Sequence, residues 1–179
     1  MDPGSCCTLA LTPFLPIRMI TAMKAAFPGS FDPPTLGHMN IIQRSAGIFD
    51  EITVIIAENR QKKYFFTAEE RFSMISLLVK PWKNVSVALC NGLIVDFLGK
   101  RGIPLIIRGI RGGDFSYEYE LSIMNKALKP EIETLFLTSD PKYAWVRSSA
   151  IKELISFGRD ISAFVPPEVK KALENKDQF

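Results

Sequence analysis

The chain holds one histidine, His38, and it closes the segment FPGSFDPPTLGH at residues 27–38. An imidazole between a turn-rich loop and an apolar stretch is a candidate hydrogen-bond donor or proton carrier, or else a surface residue of a strand-to-helix turn. Its loop suits an anion. Gly29 admits close backbone approach, Ser30 offers a hydroxyl, and Gly37 and His38 open a helix whose free N–H groups and dipole favour negative charge. Pro33 and Pro34 stiffen the loop, so less entropy is lost on binding. Arg108 and Arg111 stand three apart around Gly109, so both guanidinium groups can reach one pocket or, on spacing alone, lie solvated on a loop. Glu118 and Asn125 share one stripe of a predicted helix, beside a more apolar stripe of Tyr117, Leu121, Met124 and Leu128. A polar face toward a pocket and an apolar face toward the core fit that pattern, as does an ordinary amphipathic helix. In WVRSSAIKE, Ser148 or Ser149 can cap a helix whose backbone N–H groups would take phosphate.

These groups need a scaffold. The runs MKAAF (23–27), EITVIIA (51–57), VSVAL (85–89), IPLIIRG (103–109) and IETLFL (132–137) read as buried strands. Between them lie helical stretches: HMNIIQRSAGIF with Met39, Ile42 and Ala46 at helical spacing, RFSMISLLV, LIVDFLGKR and DFSYEYELSIMNKAL. Thr67 with Glu70 forms a capping box before the second of these, and Pro81 stops it. A last surface helix begins at the prolines of VPPEVKKALENK. The alternation predicts an α/β fold with a five-stranded parallel sheet, right-handed crossovers, and a ligand site beyond the carboxyl ends of the strands.

Composition bounds the class. A chain of 179 residues, 47% apolar, makes one domain that buries roughly 70% of its unfolded surface. With 22 Lys and Arg against 19 Asp and Glu there is no basic stripe for nucleic acid, and no run of 18 apolar residues for a membrane span. Cys6, Cys7 and Cys90 have no metal-ligand spacing and read as reduced thiols of a cytoplasmic protein. Residues 1–22 open with Asp2 and are broken by Pro13 and Pro16, unlike a signal peptide; the expectation is a dispensable extension before a domain over 23–179.

Thr35, Leu36, Gly37 and His38 resemble the T/HxGH signature of nucleotidyltransferases. With KK at 62–63, IIRGIR at 106–111, DFSYEYELSIMN at 114–125 and YAWVRSSAIKE at 143–153, the chain resembles the phosphopantetheine adenylyltransferases from Met23 to about Lys176. That resemblance implies a Rossmann-like fold and adenylyl transfer from ATP, carrying Mg²⁺, to 4'-phosphopantetheine. It also implies a homohexamer, and coenzyme A as feedback inhibitor; independently of it, no carboxylate cluster in the sequence suggests a metal held by protein side chains. By the same resemblance His38 stabilises the transition state and Ser30 touches both substrates. Lys62 and Arg108 hold the acceptor phosphate, although Arg60 and Lys63 match Lys62 on charge alone, and Ile94 lines the slot for the pantetheine arm. ATP meets Phe31, His38, Gly109, Ile110, Arg111 and Glu118, and the stretch Tyr143, Ala144, Trp145, Val146, Arg147, Ser148 and Ser149. Asn125 falls on the pantetheine side. Two departures stand out: Arg147 replaces a customary serine, and Gly112–Gly113 fill a turn one residue shorter than usual. The rival readings are another nucleotidyltransferase, acting on nicotinate mononucleotide or with CTP, and a non-enzymatic nucleotide- or RNA-binding regulator.

Overall fold

The apolar runs form the strands of one parallel sheet: β1 (Lys24–Gly29), β2 (Glu51–Ala57), β3 (Val85–Cys90), β4 (Leu105–Ile110) and β5 (Glu133–Thr138). The structure, a computed structural model, describes residues 22–59, 61–111 and 113–176. The expectation for residues 1–22 therefore lies almost wholly outside the described part, as do Cys6 and Cys7. Around the sheet are α1 (Leu36–Ala46), α2 (Ala68–Leu78), α3 (Ile94–Arg101), α4 (Phe115–Leu128), α5 (Ser148–Ser156) and α6 (Pro167–Lys176), with a 3₁₀ turn at Pro141–Tyr143. No helix among the described residues is long and apolar enough to cross a membrane.

Both faces of the central strands are covered, which is why they are nearly continuous in Ile and Val. Phe27, Ile42, Val54, Ile56 and Ile75 pack on one face, and Ala26, Ile55, Val95, Leu98 and Ile106 on the other. A third cluster, including Phe66, Met74, Val146, Ile151 and Leu173, joins α2 to α5 and α6. It fixes the C-terminal helices over one end of the sheet.

The strand order is β3-β2-β1-β4-β5, so the direction in which successive strands are added to the parallel sheet reverses between β1 and β4. There the pairing is short. β1 and β4 are in register only at Ala25–Leu105 and Ala26–Ile106, whereas β1 and β2 pair over six positions from Lys24–Glu51 to Gly29–Ile56. Beyond Ala26 and Ile106 the two strands part, and a crevice opens between their carboxyl ends.

Two expectations are corrected here. The apolar stripe of α4 does not face the core: no residue of that helix is buried, and Tyr117, Met124 and Leu128 are exposed. The helix lies against an edge of the sheet, where β5 has no outer neighbour among the described strands. In α1 the buried face carries Asn40, Ile41, Ile42 and Ser45, while Met39 only packs at its margin.

Candidate active site

A cleft of about 610 Å³ occupies the crevice, and Ser30, His38, Lys62, Arg108, Arg111 and Glu118 all line it. Its size suits a small-molecule site. Ile94, Gly109, Asn125 and Val146 line it too. Lys62 thereby separates from Lys63, which is not among the lining residues, although charge alone made them equivalent. Phe31 lies elsewhere: its ring is fully buried in the core beneath His38, their centroids 5.0 Å apart. The Phe31 backbone is left-handed at φ 49°, a strained conformation for a non-glycine residue that burial of the ring holds in place. The ring turns back so far that a Cβ at Gly29 would lie 3.0 Å from it, so this glycine makes room for Phe31.

His38 is held by a capping box. Thr35 is the N-cap of α1; its Oγ1 accepts from the His38 backbone N–H at 3.3 Å, and its own backbone N–H donates to His38 Nδ1 at 3.0 Å. A nitrogen that accepts carries no proton, so the neutral ring has its proton on Nε2. Burial, with the Arg111 guanidinium second, lowers His38 from 6.5 to about 4. At neutral pH the cleft therefore contains an uncharged imidazole with Nε2–H as its donor. The expected cradle of free N–H groups at the start of α1 is smaller than the sequence suggests. Leu36 N–H donates to the Phe164 carbonyl, and Met39 N–H to that of Thr35. Gly37 alone in this turn has no acceptor among the described residues.

Each arginine is held by a carboxylate and a carbonyl. Arg108 Nε and Nη2 donate to Glu118 Oε2 and Oε1 at 2.6 and 2.9 Å, and Nη1 donates to the Pro28 carbonyl at 2.9 Å. Arg111 Nε donates to Asp114 Oδ2 at 3.0 Å and Nη1 to the Val146 carbonyl at 2.9 Å. Gly109 lies between them because α1 is close: a Cβ there would sit 3.1 Å from Ile41 Cγ1. Arg147 donates to the other Asp114 oxygen at 3.4 Å, so one carboxylate bridges two arginines from two loops. Arg147 and the segment that follows Gly113 thus meet at Asp114; Gly112 is outside the described residues.

Residues 26–154 match the cytidylyltransferase-like family. A phosphopantetheine adenylyltransferase of Dictyoglomus thermophilum is 48% identical over 155 residues, covering 86% of this chain and 94% of that protein. That of Staphylococcus haemolyticus is 47% identical over 154 residues, covering 86% and 96%. The chain belongs to the phosphopantetheine adenylyltransferase family. Among solved structures, a Vibrio parahaemolyticus protein described as a candidate nicotinate-nucleotide adenylyltransferase superposes with a TM-score of 0.66 at 17% identity, over 88% of this chain and 94% of that one. At that identity it supports the fold alone.

In this member of the phosphopantetheine adenylyltransferase family, α5 starts differently from the expectation. Neither serine caps it. Arg147 is the N-cap and makes no side-chain cap bond, while Ser148 Oγ donates to the Pro33 carbonyl at 2.9 Å, tying α5 to the opening loop. The preceding segment is anchored by residues that sequence reasoning missed. Asn40 Nδ2 donates to Asp140 Oδ2 at 2.7 Å, the Asp140 N–H returns a bond to Asn40 Oδ1 at 3.3 Å, and Arg44 donates to the Thr138 carbonyl at 2.6 Å. Tyr143 and Ala144 are then half-buried beside α1. Trp145 and Ser149 are exposed, the Trp145 indole edge-on to Phe164 at 4.9 Å, and Ile110 ends β4.

Two buried charges were also missed. Asp32 accepts from the Phe65 and Phe66 N–H groups, each at 2.9 Å, and from Lys152 Nζ at 3.0 Å, locking the His38 loop to the segment before α2 and to α5. Arg71, fully buried, donates to the Ser30 carbonyl at 2.8 Å. A visible signal existed for Arg71: it falls in phase with Ala68 and Ile75 on the buried face of α2.

Proposed function

We infer that this chain transfers the adenylyl group of ATP to 4'-phosphopantetheine, giving dephospho-coenzyme A and pyrophosphate. The observation that carries the reading is one cleft in which the acceptor-side and nucleotide-side motifs of the family meet around the His38 Nε2–H donor. An oxygen of the acceptor phosphate attacks the α-phosphorus as the bond to the bridging oxygen breaks, and pyrophosphate leaves with that electron pair. The protein's work is positioning and charge neutralisation. Ser30, Lys62 and Arg108 take the acceptor phosphate, and the slot past Ile94 takes the arm. Arg111 and the uncapped start of α5 take the outer phosphates. His38 donates from Nε2 to the α-phosphate as charge builds there, and no covalent intermediate is needed.

Mg²⁺ supplies further neutralisation of the triphosphate. Glu58, Glu118 and Asp114 are each engaged by an arginine, so these residues fit an ion carried on phosphate oxygens and water better than one in a protein cage. Self-association is part of the same reading. Phe115, Tyr119 and Ile123 form an exposed apolar stripe on α4, a surface that a homohexamer would cover. Feedback by coenzyme A fits the shared cleft, and the free, buried Cys90 fits a cytoplasmic setting.

The test is pyrophosphate release with ATP or CTP against phosphopantetheine, unphosphorylated pantetheine and nicotinate mononucleotide. Turnover is expected with ATP and phosphopantetheine; preference for another pair would overturn the assignment.

A further inference from the structure

The guanidinium of Arg71 is fully buried and all of its nitrogens are engaged. Nε donates to the Phe66 and Thr67 carbonyls, both at 3.2 Å, Nη1 to the Ser30 carbonyl at 2.8 Å, and Nη2 to Glu58 Oε1 at 3.0 Å. The Tyr64 ring lies over the same group, 4.1 Å from the guanidinium carbon to the ring centroid. Tyr64 Oη in turn accepts the Asn59 N–H at 2.6 Å, and Asn59 closes a turn by accepting from the Lys62 N–H at 2.9 Å and, through Oδ1, from the Gln61 N–H at 2.9 Å. Both ends of the segment that carries Lys62, Glu58 before it and Tyr64 after it, therefore rest on one buried cation. That cation also grips Ser30.

We propose that Arg71 and Tyr64 are positioning residues for acceptor-phosphate binding, setting the spacing between Ser30 on one loop and Lys62 on another. The proposal rests on the reaction assigned above. A buried charge is costly to desolvate and adds little net stability even when paired, so an arginine with each guanidinium nitrogen engaged is better explained by the geometry it fixes than by the stability it adds. Lys62 is exposed, and in an untethered segment its ammonium would sample many positions relative to Ser30. On the nucleotide side Arg111 is held independently of Arg71, by Asp114 and by the Val146 carbonyl.

The experiment is steady-state kinetics on Tyr64→Leu, Tyr64→Phe and Arg71→Lys, alone and combined with Lys62→Ala. Tyr64→Leu is expected to raise the KM for phosphopantetheine about tenfold, with the KM for ATP and kcat changed by no more than about twofold. Tyr64→Phe, which keeps the ring over the guanidinium, should fall between Tyr64→Leu and wild type. In the Lys62→Ala background Tyr64→Leu should add almost nothing, because the group it positions is gone. Equal increases in both KM values, an unchanged phosphopantetheine KM, or full additivity with Lys62→Ala would overturn the proposal. If Arg71→Lys does not fold, the Tyr64 variants decide alone. A wild-type protein that fails to use phosphopantetheine overturns the reaction assignment together with this proposal; a working wild type with an indifferent Tyr64→Leu overturns only the proposal.

Discussion

Glu118 and Arg108 form a two-pronged ion pair across the cleft, joining a carboxylate assigned to the nucleotide to a cation assigned to the acceptor phosphate. With side chains only 12% and 24% exposed, the pair is shielded enough that removing one charge leaves the other poorly compensated. Glu118→Gln should lower the stability of the ligand-free protein by about 1–2 kcal/mol, part of which an anion beside Arg108 would restore. Thermal melts with and without phosphopantetheine check this. The ligand should raise the Tm of Glu118→Gln more than that of wild type, and an equal rise would mean that the acceptor phosphate does not replace the carboxylate.

The single imidazole gives one set of histidine signals, so its state can be read directly by NMR. His38 should titrate near 4 and carry its proton on Nε2 throughout the neutral range. The unfolded chain binds that proton near 6.5 and the folded chain only near 4, so the unfolded state is favoured progressively as pH falls from 6.5 through 4. Chemical denaturation of wild type should lose more stability over that window than His38→Gln does. A titration midpoint near 6.5 would contradict the half-buried, capped ring.

Lys62 and Lys63 are neighbours in sequence, but only Lys62 lines the cleft. Calorimetry should find phosphopantetheine binding weakened at least tenfold by Lys62→Ala or Arg108→Ala, ATP binding changed far less, and neither ligand affected by Lys63→Ala. Equal loss of both ligands in Lys62→Ala would remove it from the acceptor side.

A chain begun at Met23 should fold and turn over like the full one. Met23 N lies 2.7 Å from Asp50 Oδ2, and its carbonyl accepts from the Asp50 and Glu51 N–H groups. In the shortened chain the new terminal ammonium would face the Asp50 carboxylate and keep that contact. Melting temperature and kcat of the two chains compare them; loss of either would give residues 1–22 a structural part.

Much of the scaffold was legible because it depends on local pattern. The β-branched run EITVIIA became β2 at Glu51–Ala57, and Thr67 with Glu70 became the capping box of α2. The T/HxGH loop and the paired arginines were legible as chemistry because short range sets their spacing. What stayed hidden depends on contacts far apart in sequence. Asp32 meets Lys152, Arg71 meets Ser30, and Asn40 meets Asp140, and no local period announces such pairs. The α1 capping box was hidden for a different reason: its N3 residue is the histidine itself, where Glu or Gln is customary. The α4 stripe misled because an apolar face that lines a cleft, as Tyr117 and Leu121 do, or lies exposed, as Met124 and Leu128 do, has the same period as one facing a core.

His38 decides the mechanism, and its variants separate its two tasks. His38→Ala removes the Nε2–H donor and also the acceptor for the Thr35 N–H, at a stability cost of about 1 kcal/mol. His38→Gln can accept from Thr35 and still offer an N–H to the cleft. The measurement is kcat with saturating ATP and phosphopantetheine, alongside the Kd for ATP, below the melting point of every variant. The account predicts that His38→Ala lowers kcat by about 10²- to 10³-fold with little change in the Kd for ATP, and that His38→Gln retains clearly more activity. A near-normal kcat in His38→Ala would contradict it.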